Sequence, residues 1–226
     1  MPKVTDVDVV VVGAGIAGLA AARTLRASGL DLTILEAGDR VGGRLLSVPV
    51  DGENLDLGAT WFWPDEPRIS ELVAELSIAT HPQHLTGDAL YQDAHGIQRL
   101  RGNPVDVSSW RITAGAQHLA TSVALDFPQH TIQLDHQVRE IQSTADHIAA
   151  ETATGSFRGK HLILAVPPAL AVSAIEFVPN LDRRTVEVSR ATPVWMGAMT
   201  KVVAQFKAPF WRDQGLAGAV ISHVGP

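Results

Sequence analysis

The 226-residue sequence contains no cysteine, which removes disulfides, thiolate metal sites and thiol nucleophiles from consideration. It has a single tyrosine, so Tyr91 is the only phenol that any site could use. Basic residues are in the minority, 18 against 24 acidic ones. The resulting net charge of −6 opposes the attraction to phosphate backbones that drives non-specific nucleic-acid binding. No apolar run reaches the length of a membrane-spanning helix. The start, Met1 to Asp8, leads into only four valines, not the longer apolar region of a secretory signal. Repeats, heptads and low-complexity tracts are also missing. These absences lead to the expectation of a soluble cytoplasmic protein without nucleic-acid or membrane partners.

What is present has the composition of an ordinary globular chain, 46% hydrophobic and 19% charged, long enough to bury a sizeable core. Val7 to Val12 is a β-branched run ending at Gly13, and Ile16 through Leu25 has the composition and spacing of a helix. Gly29 stops that helix, and Asp31 to Glu36 reads as a second, parallel strand ending on an acid. Together they predict a βαβ unit. Farther on, helices are expected at Pro67 to Leu76 and from Gly115 to Ala124, with short strands at Ala89 to Tyr91 and Ile97 to Leu100. Thr131 to Leu134, Val138 to Gln142, His147 to Glu151 and His161 to Ala165 read as strands returning to the first sheet. After Pro167 and Pro168 a short helix is expected, then strands at Met199 to Phe206 and Ala217 to Ile221.

Gly13-x-Gly15-x-x-Gly18 therefore sits between a predicted strand and a predicted helix that opens at Ile16 and Ala17, and Glu36 closes the next strand. That context turns a weak glycine triplet into a specific dinucleotide-binding signal. Gly13 permits the tight turn, Gly15 lets backbone approach a pyrophosphate, and Gly18 lets helix and strand pack closely. The helix N-terminus offers N–H groups to phosphate, and Glu36 can accept hydrogen bonds from a ribose diol. An acid there opposes a cofactor phosphorylated on that ribose. The fingerprint alone leaves FAD and NAD both open.

The following residues, Glu36-Ala37-Gly38-Asp39-Arg40-Val41-Gly42-Gly43-Arg44, resemble the stretch after the second strand in flavin monoamine and polyamine oxidases. Leu55-Asp56-Leu57-Gly58-Ala59-Thr60-Trp61 is similar to the family segment beside the isoalloxazine ring. Trp110 to Leu119 looks like the return of the chain to the FAD domain, departing from the family by placing Ala114 where a glycine is usual. Val138-Arg139-Glu140-Ile141 resembles the strand whose valine backbone meets the adenine, and Ala165-Val166-Pro167-Pro168 the strand end leading back to the substrate lobe. Met196-Gly197-Ala198-Met199-Thr200-Lys201, continuing to Pro209-Phe210-Trp211, is similar to the segment carrying the family's active-site lysine.

The resemblance implies an α/β fold, a Rossmann-like FAD-binding domain interleaved with a reduced, mostly β substrate lobe. FAD-binding parts are expected at 1–78 and 110–168, and substrate-lobe parts at 79–109 and 169–226. It implies non-covalent FAD, since cysteinyl attachment has no residue to use. Gly13, Gly15, Ile16, Ala17, Gly18, Glu36, Ala37, Arg40, Gly42, Gly43, Arg44, Gly58, Ala59, Thr60, Trp61 and Val138 would contact the cofactor, and Lys201 would hold a water against flavin N5. The implied substrates are a small-molecule amine and O2, giving an imine or aldehyde and H2O2.

Relative to the family, only about three dozen residues separate the helix after Trp61 from the Trp110 return, and the chain ends at Gly225-Pro226 soon after the lysine segment. The expectation is a shortened chain that self-associates or is completed by another chain. A non-catalytic FAD-binding protein and a related flavin desaturase or porphyrinogen-type oxidase are the competing readings. The nine histidines show no metal-ligand spacing, and Asp51, Glu53, Asp65 and Glu66 lie in loop-like stretches where solvated carboxylates are ordinary. Trp61-Phe62-Trp63 reads mainly as packing, and Arg183 and Arg184 as a solvated helix face.

Overall fold

The computed structural model describes residues 3–194 and 199–225. The chain runs β1 (Lys3–Asp6), β2 (Val9–Val12), α1 (Ile16–Ala27), β3 (Leu32–Leu35), β4 (Ser47–Val50), β5 (Glu53–Asp56) and α2 (Pro67–Glu75). It continues through β6 (Thr80–Pro82), β7 (Asp88–Asp93), β8 (Gly96–Leu100), β9 (Trp110–Ile112), α3 (Gln117–Ala124), β10 (Ile132–Gln133), β11 (Glu140–Ser143), β12 (Ile148–Glu151) and β13 (Gly155–Gly159). The last elements are β14 (His161–Leu164), α4 (Pro168–Ala174), β15 (Glu176–Val178), α5 (Arg183–Ala191), a 3-10 turn at Arg212–Gln214 and β16 (Leu216–Ser222). The fold is mixed α/β with parallel strands.

Two compact units divide it, one from residues 1–59 and 116–201, the other from 60–115 and 202–226.

The first unit is built on an all-parallel sheet in the order β10, β3, β2, β14. The four valines of β2 and all of β3 are buried, as strands with neighbours on both sides must be. Helix α1 connects them and packs through Gly18, Leu19 and Ala22. Successive β2 residues point to opposite faces. Val10 and Val12 join Leu35, Val138, Ile141, Ala150 and Phe157 in one buried cluster. Ile141, Ala150 and Phe157 belong to a second sheet, order β1, β13, β12, β11, β15, so this cluster is where the two sheets meet. Burial of such side chains contributes about 1.5–3 kcal/mol each.

The second unit contains α2, the antiparallel pair β6 and β9, and a sheet in which β7 lies between antiparallel β8 and parallel β16. Arg99 ties that sheet together, its Nε bonding Asp88 at 2.6 Å and its Nη2 the carbonyls of Gln214 and Gly215.

Two expectations are corrected. Of the four strands expected to return to the first sheet, only β10 and β14 do so; β11 and β12 pair with each other in the second sheet. Their side chains supply the opposite wall of the core, which needs a second layer. Residues 199–206 form no strand either. Val202 is 85% exposed; β-forming composition suits a segment to a sheet, and no described strand offers this one a ladder. The matched residues Met196, Gly197 and Ala198 lie outside the described ones.

Candidate functional site

The chain leaves β2 and enters α1 through Gly13, Ala14 and Gly15. Gly13 adopts φ +105° and donates its N–H to the Leu35 carbonyl at 2.8 Å, locking the turn to the end of β3. A Cβ on Gly18 would stand 1.9 Å from the Gly13 carbonyl oxygen, so only glycine allows the helix this close to the strand. Gly15, the N-cap, is different: a Cβ there meets nothing within 4 Å. It has no side chain to cap the helix, and the first turn, with Ile16 and Ala17, carries no acid. The N–H groups and dipole of that turn are available to an anion.

Glu36 lies beneath this turn. Its Oε2 accepts the Ala14 N–H at 2.8 Å and its Oε1 the Gly38 N–H at 2.9 Å, across the exposed Ala37. The Glu36 and Gly38 carbonyls accept the N–H groups of His136 and Asp135 at 2.8 and 2.9 Å, which fixes the exit of β10 to the same loop.

From there the chain folds back over α1. Gly42 donates its N–H to the Ala14 carbonyl at 2.8 Å and forms a parallel bridge with Gly15. A Cβ on Gly43 would lie 3.4 Å from the Gly15 Cα. The Arg40 guanidinium donates to the carbonyls of Val41, Leu45 and Gly43 at 3.1, 3.0 and 2.8 Å. Arg44 is exposed. Its carbonyl accepts the Ala59 N–H at 3.1 Å, and a Cβ on Gly58 would stand 1.9 Å from the same oxygen. Lys201 then closes the series, its exposed Nζ donating to the Gly58 carbonyl at 3.0 Å.

The first unit therefore brings together the glycine turn, the 36–44 loop, Gly58 with Ala59, and Lys201. Val138 also belongs to this unit, with its side chain 5% exposed in the core. Thr60 and Trp61 begin the second unit, the former buried and the latter half exposed. In that unit the turn around Ala114 is made at Gly115, whose φ is +87° and whose N–H reaches the Ile112 carbonyl at 3.0 Å. The neighbouring glycine takes the left-handed position, so alanine at 114 is tolerated.

The sequence reading gave Asp56 no role. Its Oδ1 accepts the Ser47 hydroxyl at 2.6 Å and the Ala116 N–H at 2.7 Å, so the hairpin of β4 and β5 caps α3. Ser47 completes the cap by accepting the Gln117 N–H at 3.0 Å.

The glycine segments line neither of two open grooves. One, of about 460 Å³, lies at the N-terminal ends of β2 and β3 among Asp6, Asp31, Thr33, His130 and His136. The other, of about 630 Å³, lies in the second unit beside Trp63, Asp65, Glu66 and Val107. Among the described residues no three His, Asp or Glu gather as a metal site.

The family model described as flavin containing amine oxidoreductase matches residues 16–107 and 84–225. The chain belongs to that family. The matched stretches include Glu36 to Arg44, Gly58 to Trp61 and Lys201, whereas Gly13 and Gly15 precede them.

A putrescine oxidase of Kocuria rosea is 27% identical over 93% of this amine oxidoreductase chain and 66% of its own length. Amine oxidase [flavin-containing] B of Homo sapiens is 24% identical over 95% of this chain and 60% of its own. The chain thus spans about two thirds or less of these relatives. A solved putrescine oxidase bound to putrescine superposes with a TM-score of 0.84 at 21% identity, over 97% of this chain and 70% of that one. Cyclohexylamine oxidase from Brevibacterium oxydans IH-35A gives 0.83 at 18% identity, over 96% and 70%. At these identities the structural likeness shows the fold alone.

Proposed function

We propose that the chain forms the FAD-binding core of an enzyme that oxidises a small-molecule amine with O2. The carrying observation is the convergence of residues 13–18, 36–44, 58–59 and 201 in one unit. The first unit would be the Rossmann-like FAD domain, and the second would belong to the substrate lobe.

The residues fit the cofactor. Gly15 opens onto empty space while Gly13, Gly18 and Gly58 are closed off by neighbouring backbone. A pyrophosphate would rest on the N–H groups of Ile16, Ala17 and Gly18, with Arg44 supplying charge. Each Glu36 oxygen accepts one backbone N–H and retains a lone pair for a ribose hydroxyl. Ala37, Gly42, Gly43, Ala59 and the Val138 backbone would complete the contacts, with Arg40 inside the 36–44 loop. With no cysteine in the chain, binding is non-covalent with respect to that residue.

Bound FAD supplies the hydride acceptor and passes its electrons to O2, so that an amine R–CH2–NH2 with O2 and H2O yields R–CHO, NH3 and H2O2. Lys201 has a definable task. Its ammonium, which donates to the Gly58 carbonyl, would orient the water that the resemblance assigns to it. Gly58 and Ala59 keep the backbone beside that ammonium free of bulk.

The visible spectrum of the purified full chain, followed by anaerobic addition of an amine panel, tests the proposal. Flavin bands that bleach with an amine, followed by peroxide on admitting air, support it. Bands that persist through the panel favour a flavin-binding protein without amine chemistry. Repeating the titration after size-exclusion chromatography shows whether a second copy is required.

A further inference from the structure

Arg40 is set apart from the other charged residues of the site by where its donors go. Three hydrogen bonds lead from one half-buried guanidinium to the carbonyls of Val41, Gly43 and Leu45, residues one, three and five positions ahead. Such a fan requires a planar fork of fixed N–H directions, and a lysine ammonium cannot reproduce it.

The loop it fills is costly in entropy to order, which calls for a brace. Gly42 and Gly43 both lie in the left-handed region, at φ +106° and +53°. Two glycines in sequence lose more conformational freedom on ordering than any other pair. Their own hydrogen bonds are few: Gly42 N–H to Ala14 O, and Leu45 N–H to Gly42 O. An unbraced loop of this composition would sample many conformations, and the carbonyl oxygens of Val41 and Gly43 would be free to turn toward a bound anion. Aimed at Arg40, they do not repel it.

We propose that Arg40 is a positioning residue: by gathering the Val41, Gly43 and Leu45 carbonyls it holds the Gly42–Gly43 backbone against Gly15, so that the phosphate site exists before any ligand arrives. This rests on the proposed dinucleotide site but assigns Arg40 to the loop and leaves the direct phosphate contact to Arg44. Preorganisation of this kind raises affinity by removing the ordering penalty from the binding step.

The test uses the full chain freed of flavin, as wild type and as Arg40→Ala, Arg40→Lys and Arg44→Ala. Amide hydrogen exchange is read at Gly42 and Leu45, with Val10 to Val12 as an internal measure of global folding. The expected result is exchange at Gly42 and Leu45 faster by about tenfold or more in Arg40→Ala. Arg40→Lys restores it only in part, Arg44→Ala leaves it unchanged, and the valines stay protected throughout.

FAD titration across a range of salt concentrations supplies the second readout. Arg40→Ala is expected to weaken binding by about tenfold with the wild-type salt dependence, whereas Arg44→Ala flattens that dependence. Unchanged exchange at Gly42 and Leu45 in Arg40→Ala overturns the proposal, as does a salt dependence flattened to the extent seen in Arg44→Ala. Because exchange is measured without flavin, a wild-type chain that fails to bind FAD would sink the cofactor reading and leave the exchange result to decide the role of Arg40.

Discussion

The Nζ of Lys201 donates to the carbonyl of Gly58 across 143 residues of sequence, at 3.0 Å. Gly58 is itself pressed against the Arg44 carbonyl, where no side chain fits. The ammonium is thereby tied, through one glycine, to the loop that runs over the N-terminus of α1. An exposed lysine on an irregular segment would otherwise wander; this contact gives it an address.

Replacing Lys201 by methionine keeps the stem and removes the donor. The expected outcome is a rate of anaerobic flavin reduction by amine lowered about a hundredfold. FAD affinity should be unchanged and stability altered by about 1 kcal/mol or less. Stopped-flow reduction and urea denaturation measure the two effects, and an unaltered reduction rate would remove Lys201 from the chemistry.

Gly15 and Gly58 separate binding from folding. In Gly58→Ala the new Cβ would stand 1.9 Å from the Arg44 oxygen and 2.9 Å from its carbonyl carbon. Backbone must move, and destabilisation of about 3 kcal/mol or more is expected. In Gly15→Ala the methyl meets nothing, so stability should change by less than about 1 kcal/mol. FAD affinity should nevertheless fall about tenfold or more, because the methyl would occupy the proposed approach to the pyrophosphate. Thermal melts and flavin titration of both variants check the contrast, and equal effects on affinity and stability in Gly15→Ala would contradict it.

The strand, glycine turn and helix were legible in the sequence because a fully buried parallel strand has to be an apolar run, as Val9 to Val12 is, and the turn after it needs glycine. The hairpin of β4 and β5 was legible too but went unread. Asp51 and Gly52, at φ +49° and +83° between paired Val50 and Glu53, form the two-residue Asp-Gly turn that joins antiparallel strands. By contrast β1 pairs with β13, beginning with Lys3 opposite Gly155, and nothing local announces a partner so distant. Residues 199–206 were misread for the converse reason, since Val202, Val203 and Phe206 advertise a strand without saying whether a ladder awaits it. Asp56 as the cap of α3 and Arg40 as a brace depend on contacts that appear only once the chain is folded.

Acid should loosen the molecule at three identifiable carboxylates. The Lys160 ammonium, then the Asp31 N–H, hold Asp8 below the usual carboxylate value. The Gly102 N–H, then Arg99, do so for Asp88, and the Thr185 hydroxyl and N–H for Asp182 at the start of α5. A depressed pKa in the folded state means stability that is present above the ordinary carboxylate value and lost as pH falls through the folded one. Melting temperatures measured from pH 7 downward should therefore hold until about pH 4 and then drop. In the triple variant Asp8→Asn, Asp88→Asn, Asp182→Asn the acid limb should be shallower and the neutral value lower. An acid limb identical to wild type would show that other groups govern it.

Glu36 offers the most direct test of how the site is assembled. Both of its oxygens accept backbone N–H groups, from Ala14 in the glycine turn and Gly38 in the next loop. Glutamine has the same shape but carries one oxygen and one NH2. Whichever way the amide flips, a donor faces a donor, and one of the two N–H groups loses its partner. The expected destabilisation is about 1–3 kcal/mol, accompanied by weaker FAD binding, since in the proposed site the remaining acceptor would be shared with the ribose. Aspartate keeps both oxygens but is shorter by one methylene, so it should lose both contacts and bind less tightly still. Denaturation and flavin titration of Glu36→Gln and Glu36→Asp measure this. A Glu36→Gln variant with wild-type stability and wild-type affinity would show that the carboxylate neither supports the turn nor meets the cofactor.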